Sequence, residues 1–185
     1  ATSGDRDWAV YHQALGNGSF CLLNSTAAKD DSDGFFNATT PTSSVFSLGD
    51  NTRVNANTDT CIAYLFAEKK GYSKFGSYTG NGDVNGIFAY IGFKPAFVII
   101  KDVTGGRDWV MFDNKRNTFN VLNRRLFPNN TDAENTAVDA LDFTAQGFKI
   151  RSTNTSVGVS GNTYIYMAFA ESPFVTSTGV PATAR

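Results

Sequence analysis

Thr163-Tyr164-Ile165-Tyr166-Met167-Ala168-Phe169-Ala170-Glu171 is an apolar run that closes on an acid. It has an earlier echo, Thr60-Cys61-Ile62-Ala63-Tyr64-Leu65-Phe66-Ala67-Glu68. Both read as strands, over Ile165 to Ala170 and Ile62 to Ala67, because aromatic and β-branched residues suit a pleated surface. The echo extends outward. Asp108-Trp109-Val110-Met111-Phe112-Asp113 repeats Asp7-Trp8-Ala9-Val10-Tyr11-His12, and Thr104-Gly105-Gly106-Arg107 repeats Ser3-Gly4-Asp5-Arg6. Between these anchors, Phe148-Lys149-Ile150 matches Phe46-Ser47-Leu48 and Val157 matches Val54. The offset is 101 residues at the tryptophans and 103 at the closing glutamates. Four ordered matches at nearly one spacing point to an internal duplication.

The halves are unequal. A block from Ser73 to Lys101 precedes the second Asp-Trp strand and has no counterpart before the first. Either that block lies upstream in a longer parent chain, the reading favoured here, or residues 172–185 take its place. The expected organisation is a first β module over 1–72 without its opening strands, a complete second module over 73–174, and a tail over 175–185.

Other strands follow the same logic. Phe97-Val98-Ile99-Ile100, after Pro95, reads as a strand buried on both faces. Phe75 to Thr79 followed by Gly80-Asn81-Gly82 reads as strand and turn. Phe46 to Leu48 and Phe148 to Ile150 alternate as half-exposed strands do. Val54 and Val157 begin short edges or turns. Only Asp132 to Leu141 has a helical look, with Thr131 or Asp132 to cap it, and a turn suits it equally. Short strands between Gly, Asn and Thr turns imply an all-β fold, a β-sandwich or jelly roll made of two related half-modules.

Composition agrees. Of 185 residues, 41% are apolar and 14% aromatic, so a core can form, while only 18% are charged. The net charge of −1 and the lack of a basic stripe exclude nucleic acid as a partner. No apolar run approaches the roughly 20 residues a membrane helix needs. Cys21 and Cys61 both fall in strand-like runs and read as buried free thiols, with a disulfide left open.

Candidate chemistry is sparse. His12 is the single histidine, and Asp113 stands at its repeated position, so no Ser-His-Asp device is kept across the halves. Acids at Asp132, Glu134, Asp139 and Asp142 lie among turn residues and form no glycosidase pair. Asp30, Asp31 and Asp33 are the one metal candidate; Ca²⁺ is the cofactor they could take, although the EF-hand spacing is missing and an acidic loop is the plainer reading. The pair Asp50-Asn51 with Asp59 is a weaker form of the same idea. Trp8, Trp109 and Tyr78 are ligand-binding candidates if their rings are exposed; a recurring Trp otherwise reads as core. Gly76 to Gly86 opens no helix and lacks the Lys-Ser/Thr of a phosphate loop. Asn17, Asn24, Asn37, Asn129 and Asn154 begin Asn-x-Ser/Thr triplets, read as polar turns.

Three stretches resemble a known family: Tyr64 to Glu68 with Gly71-Tyr72-Ser73-Lys74-Phe75-Gly76-Ser77-Tyr78-Thr79-Gly80-Asn81-Gly82, then Gly92-Phe93-Lys94-Pro95 to Lys101, then Tyr164 to Phe174. They are similar to tandem β-modules of unassigned function found in virion-associated and tail-fibre-like proteins of tailed phages, many of them marine. The resemblance covers nearly the whole chain. It implies a concanavalin A-like sandwich, a place on the virion surface or outside the cell, and partners among other virion proteins or copies of the same chain. It carries no catalytic residues with it. The expectation is therefore a non-enzymatic virion surface or fibre protein that contacts host surface polysaccharide. The alternative is a stand-alone lectin-like module, and a glycan hydrolase comes third.

Overall fold

A computed structural model describes residues 6–171. The chain runs β1 (Ala9–Val10), a 3-10 turn (Gln13–Leu15), β2 (Ser19–Leu22), β3 (Asp30–Asp31), α1 (Asp33–Phe36), α2 (Thr52–Asn55), β4 (Ser73–Thr79), β5 (Phe88–Tyr90), β6 (Pro95–Asp102), β7 (Trp109–Asp113), β8 (Leu141–Thr144), β9 (Gly147–Ile150) and β10 (Thr163–Ala170). These strands form three antiparallel sheets, in the orders β1-β2-β3, β4-β10-β6-β7 and β5-β9-β8.

The four-stranded sheet is buried on both faces, which is why β6 and β10 read as nearly unbroken apolar runs. Alternation sends Val98, Ile100, Val110, Phe112, Tyr164, Tyr166 and Ala168 to one side. There they meet Leu141, Phe143, Phe148 and Ile150 of the β5-β9-β8 sheet in the main core. The two sheets thus pack in a sandwich-like way. The opposite face carries Ile99, Trp109 and Ile165, with Phe97, Met111 and Met167 beside them. It is covered by Val10 and Cys21 from the first sheet and by Leu23 just after β2. The outer face of that first sheet buries Phe20 against Phe35 and Phe36 of α1. Ser32 caps α1 by accepting from the Gly34 amide, and Asn37 ends it in the left-handed region at φ 53°. Gly76 in β4 has a reason of its own: a Cβ there would sit 2.5 Å from the Tyr166 hydroxyl on the neighbouring strand.

Several sequence expectations change. Residues 60–68 form no strand; they run irregularly and all are exposed. Cys61 is accordingly an exposed thiol, whereas Cys21 is buried, and both are free. The run has the side chains of β10 but, among the described residues, has no strand neighbours such as β4 and β6, and an apolar strand is stable only when its backbone is paired. Phe46 to Leu48 is likewise irregular, and Val54 lies in α2. Asp132 to Ala140 contains no helix. Its backbone bonds go across the chain, between Asn135 and Arg125 and from Ala140 to Leu122. The tail over 175–185 lies outside the described residues.

Candidate functional site

Each Asp-Trp strand is held by an asparagine that comes much later. In the second half the Asn129 side-chain oxygen accepts from the Trp109 amide at 2.8 Å, and its nitrogen donates to Asp108 Oδ1 at 2.7 Å. In the first half Asn24 does the same to Trp8 and Asp7, both at 3.0 Å. The strand that follows each tryptophan pairs in the same register. Ala9 faces Leu22, and Met111 bridges Leu126, so Asp7 falls opposite Asn24 as Asp108 does opposite Asn129. Four residues after each tryptophan, His12 and Asp113 also do the same work. His12 Nδ1 accepts from the Ala14 amide, while Asp113 Oδ1 accepts from the Lys115 and Arg116 amides. Sequence reading missed the asparagine clamp. Its signal lay in two of the Asn-x-Ser/Thr triplets, Asn24-Ser25-Thr26 and Asn129-Asn130-Thr131, each following an Asp-Trp strand.

The two tryptophans then part company. Trp109 is 5% exposed and donates its indole N–H to the Leu22 carbonyl at 2.9 Å. Beside it lies Lys101, whose ammonium is 5.8 Å from the ring centre and donates to the carbonyls of Thr26, at 2.9 Å, and Arg107. Burial pulls the Lys101 pKa down, partly opposed by Cys21 and Asp102. Trp109 is thus a strut between the halves and offers no ring to a ligand. Tyr78 is buried too; its hydroxyl donates to the Val157 carbonyl at 2.9 Å, its ring stacks on Tyr164, and burial raises its pKa well above the usual value. Only Trp8 is open. At 37% exposure it stacks on Tyr64, itself 69% exposed, with ring centres 6.0 Å apart.

The acidic loop does not gather. Asp30 and Asp31 are neighbours in β3, so their side chains leave on opposite faces. Asp31 accepts from Ser19 at 2.6 Å and Lys29 at 2.7 Å, and the Lys29 bond is the chief cause of its lowered pKa. Asp33 opens α1 instead. Among the described residues no three His, Cys, Asp or Glu side chains stand together as a metal site. Asp33 does share an open depression of about 480 Å³ with Asp50, Asn37 and Asn55. His12 is sequestered: Nε2 lies 3.1 Å from the Tyr166 carbonyl, and desolvation lowers its pKa against that hydrogen bond.

The most unusual surface is apolar. Ile62, Tyr64, Leu65 and Phe66 are 58%, 69%, 71% and 59% exposed in one short run. Contiguous exposed apolar groups mark contact surfaces more often than free ones. Among the described residues no helix is long and apolar enough to cross a membrane.

Fold and site together define an all-β protein with three antiparallel sheets, a doubly buried central sheet and an exposed apolar strip. The chain belongs to the family described as a domain of unknown function (DUF7483), which matches residues 1–173. Comparison with curated proteins and with solved structures returned no match.

Proposed function

We propose that this chain is a non-enzymatic surface or fibre module of a tailed-phage virion, built from two related β modules in a concanavalin A-like sandwich. Its work is contact with other virion proteins or with copies of itself. The observation that carries this reading is the exposed Ile62–Phe66 strip beside an otherwise closed core. The two-module part is supported by the Asp-Trp-Asn clamp, which recurs with the same donors and acceptors in both halves. The phage setting rests on the sequence resemblance. The non-catalytic role is supported by His12, the residue best suited to acid–base work, having both ring nitrogens in structural contacts. Antibodies raised against the chain should decorate intact particles from cultures that express its gene. Bare particles beside free chain in the same culture would reject the proposal.

A lectin-like reading has one observation in its favour, the open Trp8–Tyr64 stack, since sugar rings pack on exposed aromatic faces. A glycan array with the monomeric chain decides it. Binding that Trp8→Ala abolishes supports a sugar platform, and silence across the array removes it.

A further inference from the structure

The complete half of the molecule shows which neighbours a strand with the β10 sequence takes. β10 lies between β4 and β6, and β6 in turn pairs with β7. Residues 60–67 repeat β10, and β1 repeats part of β7. In the first half nothing described stands where β6 would be. The backbone of residues 60–68 makes no hydrogen bond to another described backbone group, and among the described strands β1 pairs with β2 alone. Across this gap Tyr64 leans on Trp8.

We infer that the open edge of β1 and the Cys61–Ala67 run together form a split acceptor for one extended strand with the chemistry of β6, supplied by another module of this kind. The inference rests on the two-module reading above. The register follows from the second half. Ile99 of β6 lies between Met167 and Met111, and Lys101 between Ile165 and Trp109. The incoming strand therefore places an apolar residue between Tyr64 and Val10, and the residue at the Lys101 position between Ile62 and Trp8. Charge selects the same occupant. Glu171 takes Lys94, just before β6, through its carboxylate at 2.8 Å, and its amide donates to the Lys94 carbonyl at 2.9 Å. Glu68, at the repeated position, now holds Lys74 in an exposed pair at 2.5 Å and can exchange it. Adding a strand satisfies exposed backbone groups and buries alternate side chains, the usual basis of strand augmentation. Neighbouring strands lie about 4.8 Å apart, so a strand between β1 and residues 61–67 separates those two by roughly 9–10 Å and opens the Trp8–Tyr64 stack.

Cys61 reports the event, because its counterpart Tyr164 is fully buried while Cys61 is exposed and the other cysteine is buried. The test compares the 185-residue chain with a version carrying a second copy of residues 73–103 directly before Ser3. In the extended chain, thiol labelling of Cys61 should slow at least tenfold, and amides of residues 61–67 and 9–10 should gain hydrogen-exchange protection. Val98→Pro within the added copy should cancel both effects, since proline cannot donate to the ladder. Unchanged labelling in the extended chain overturns the inference, as does slow labelling in the unextended chain while it is monomeric. Particle labelling tests the virion reading separately, so the two can fail independently.

Discussion

Replacing Asn129 by alanine should cost far more than the same change at Asn24, although the two side chains make the same pair of bonds. Asn129 accepts from the amide of buried Trp109 and donates to Asp108, at 2.8 and 2.7 Å. A neutral hydrogen bond contributes about 1 kcal/mol net and one to a charged group about 1.5–3 kcal/mol. Asp108 keeps Asn130 at 3.2 Å, which offsets part of the loss. The sum is about 2–3 kcal/mol, or roughly 5–10 °C in Tm for a domain of this size. Asn24 is exposed and its bonds are 3.0 Å long, so water replaces it and the cost stays under about 1 kcal/mol. Urea unfolding followed by tryptophan fluorescence measures both. Asn129→Asp adds a second check. Its carboxylate still accepts from Trp109 but faces Asp108, so it should be less stable than Asn129→Ala at pH 7 and recover toward pH 4. Equal costs at the two asparagines, or an Asn129→Ala cost below about 0.5 kcal/mol, would refute the idea that the clamp works by desolvated bonds at Trp109.

Three further outcomes follow from the same geometry. Burial pushes the Cys21 thiol up to about 11 from an ordinary 9.0. Its neutral form is favoured in the folded chain, so stability is intact below pH 9 and about 2–3 kcal/mol is lost between pH 9 and 11. Lys101 works against this loss; Cys21→Ala should flatten the pH 9–10 part and leave the later loss from Tyr78 and Tyr164. His12 is depressed by desolvation, so its contribution is complete above pH 6.5 and drains away as pH falls through its folded pKa. His12→Gln should remove that acid-side slope in denaturation measured from pH 7 to 5. Gly76→Ala should destabilise by about 1–3 kcal/mol in the same assay, because the new methyl meets the Tyr166 hydroxyl; Tyr166→Phe should relieve part of it.

Legibility in the sequence tracked how local the deciding interactions were. Phe97 to Ile100 read as buried on both sides, and Val98 and Ile100 are fully buried with Ile99 nearly so. The Asp-Trp strands and Phe148 to Ile150 were equally plain, since a period of two in side-chain direction is written in the residues themselves. Cys61 to Ala67 was not. Its side chains specify a strand as clearly as those of β10, but a strand is completed by neighbours, and sequence similarity brought none with it. Asp132 to Leu141 misled for the opposite reason. Helix-favouring alanines and a cap lost to backbone bonds with Arg125 and Leu122 that no local pattern announces. Trp109 and Tyr78 could be proposed as ligand groups only because sequence does not say whether a ring is covered.

The divergence of the two tryptophans has a single physical origin. Both sit in an Arg-Asp-Trp context, both have an asparagine on the amide, and both lead into pairing of the same register. Trp109 is buried because the first sheet lies over its face of the central sheet, bringing the Leu22 carbonyl to its indole. Trp8 belongs to that covering sheet, and among the described residues its only aromatic contact is Tyr64, from the strip that lacks strand neighbours. Exposure at Trp8 and exposure at Ile62 to Phe66 are therefore one fact seen twice. A change that pairs the strip should also shield Trp8, and a sugar platform at Trp8 should exist only while the strip is open. Strand addition and glycan binding at this edge exclude each other. Any glycan affinity of the 185-residue chain should accordingly vanish in the version extended with residues 73–103, with Val98→Pro in the added copy restoring it. Affinity that survives in the extended chain would separate Trp8 from the strip and break this link.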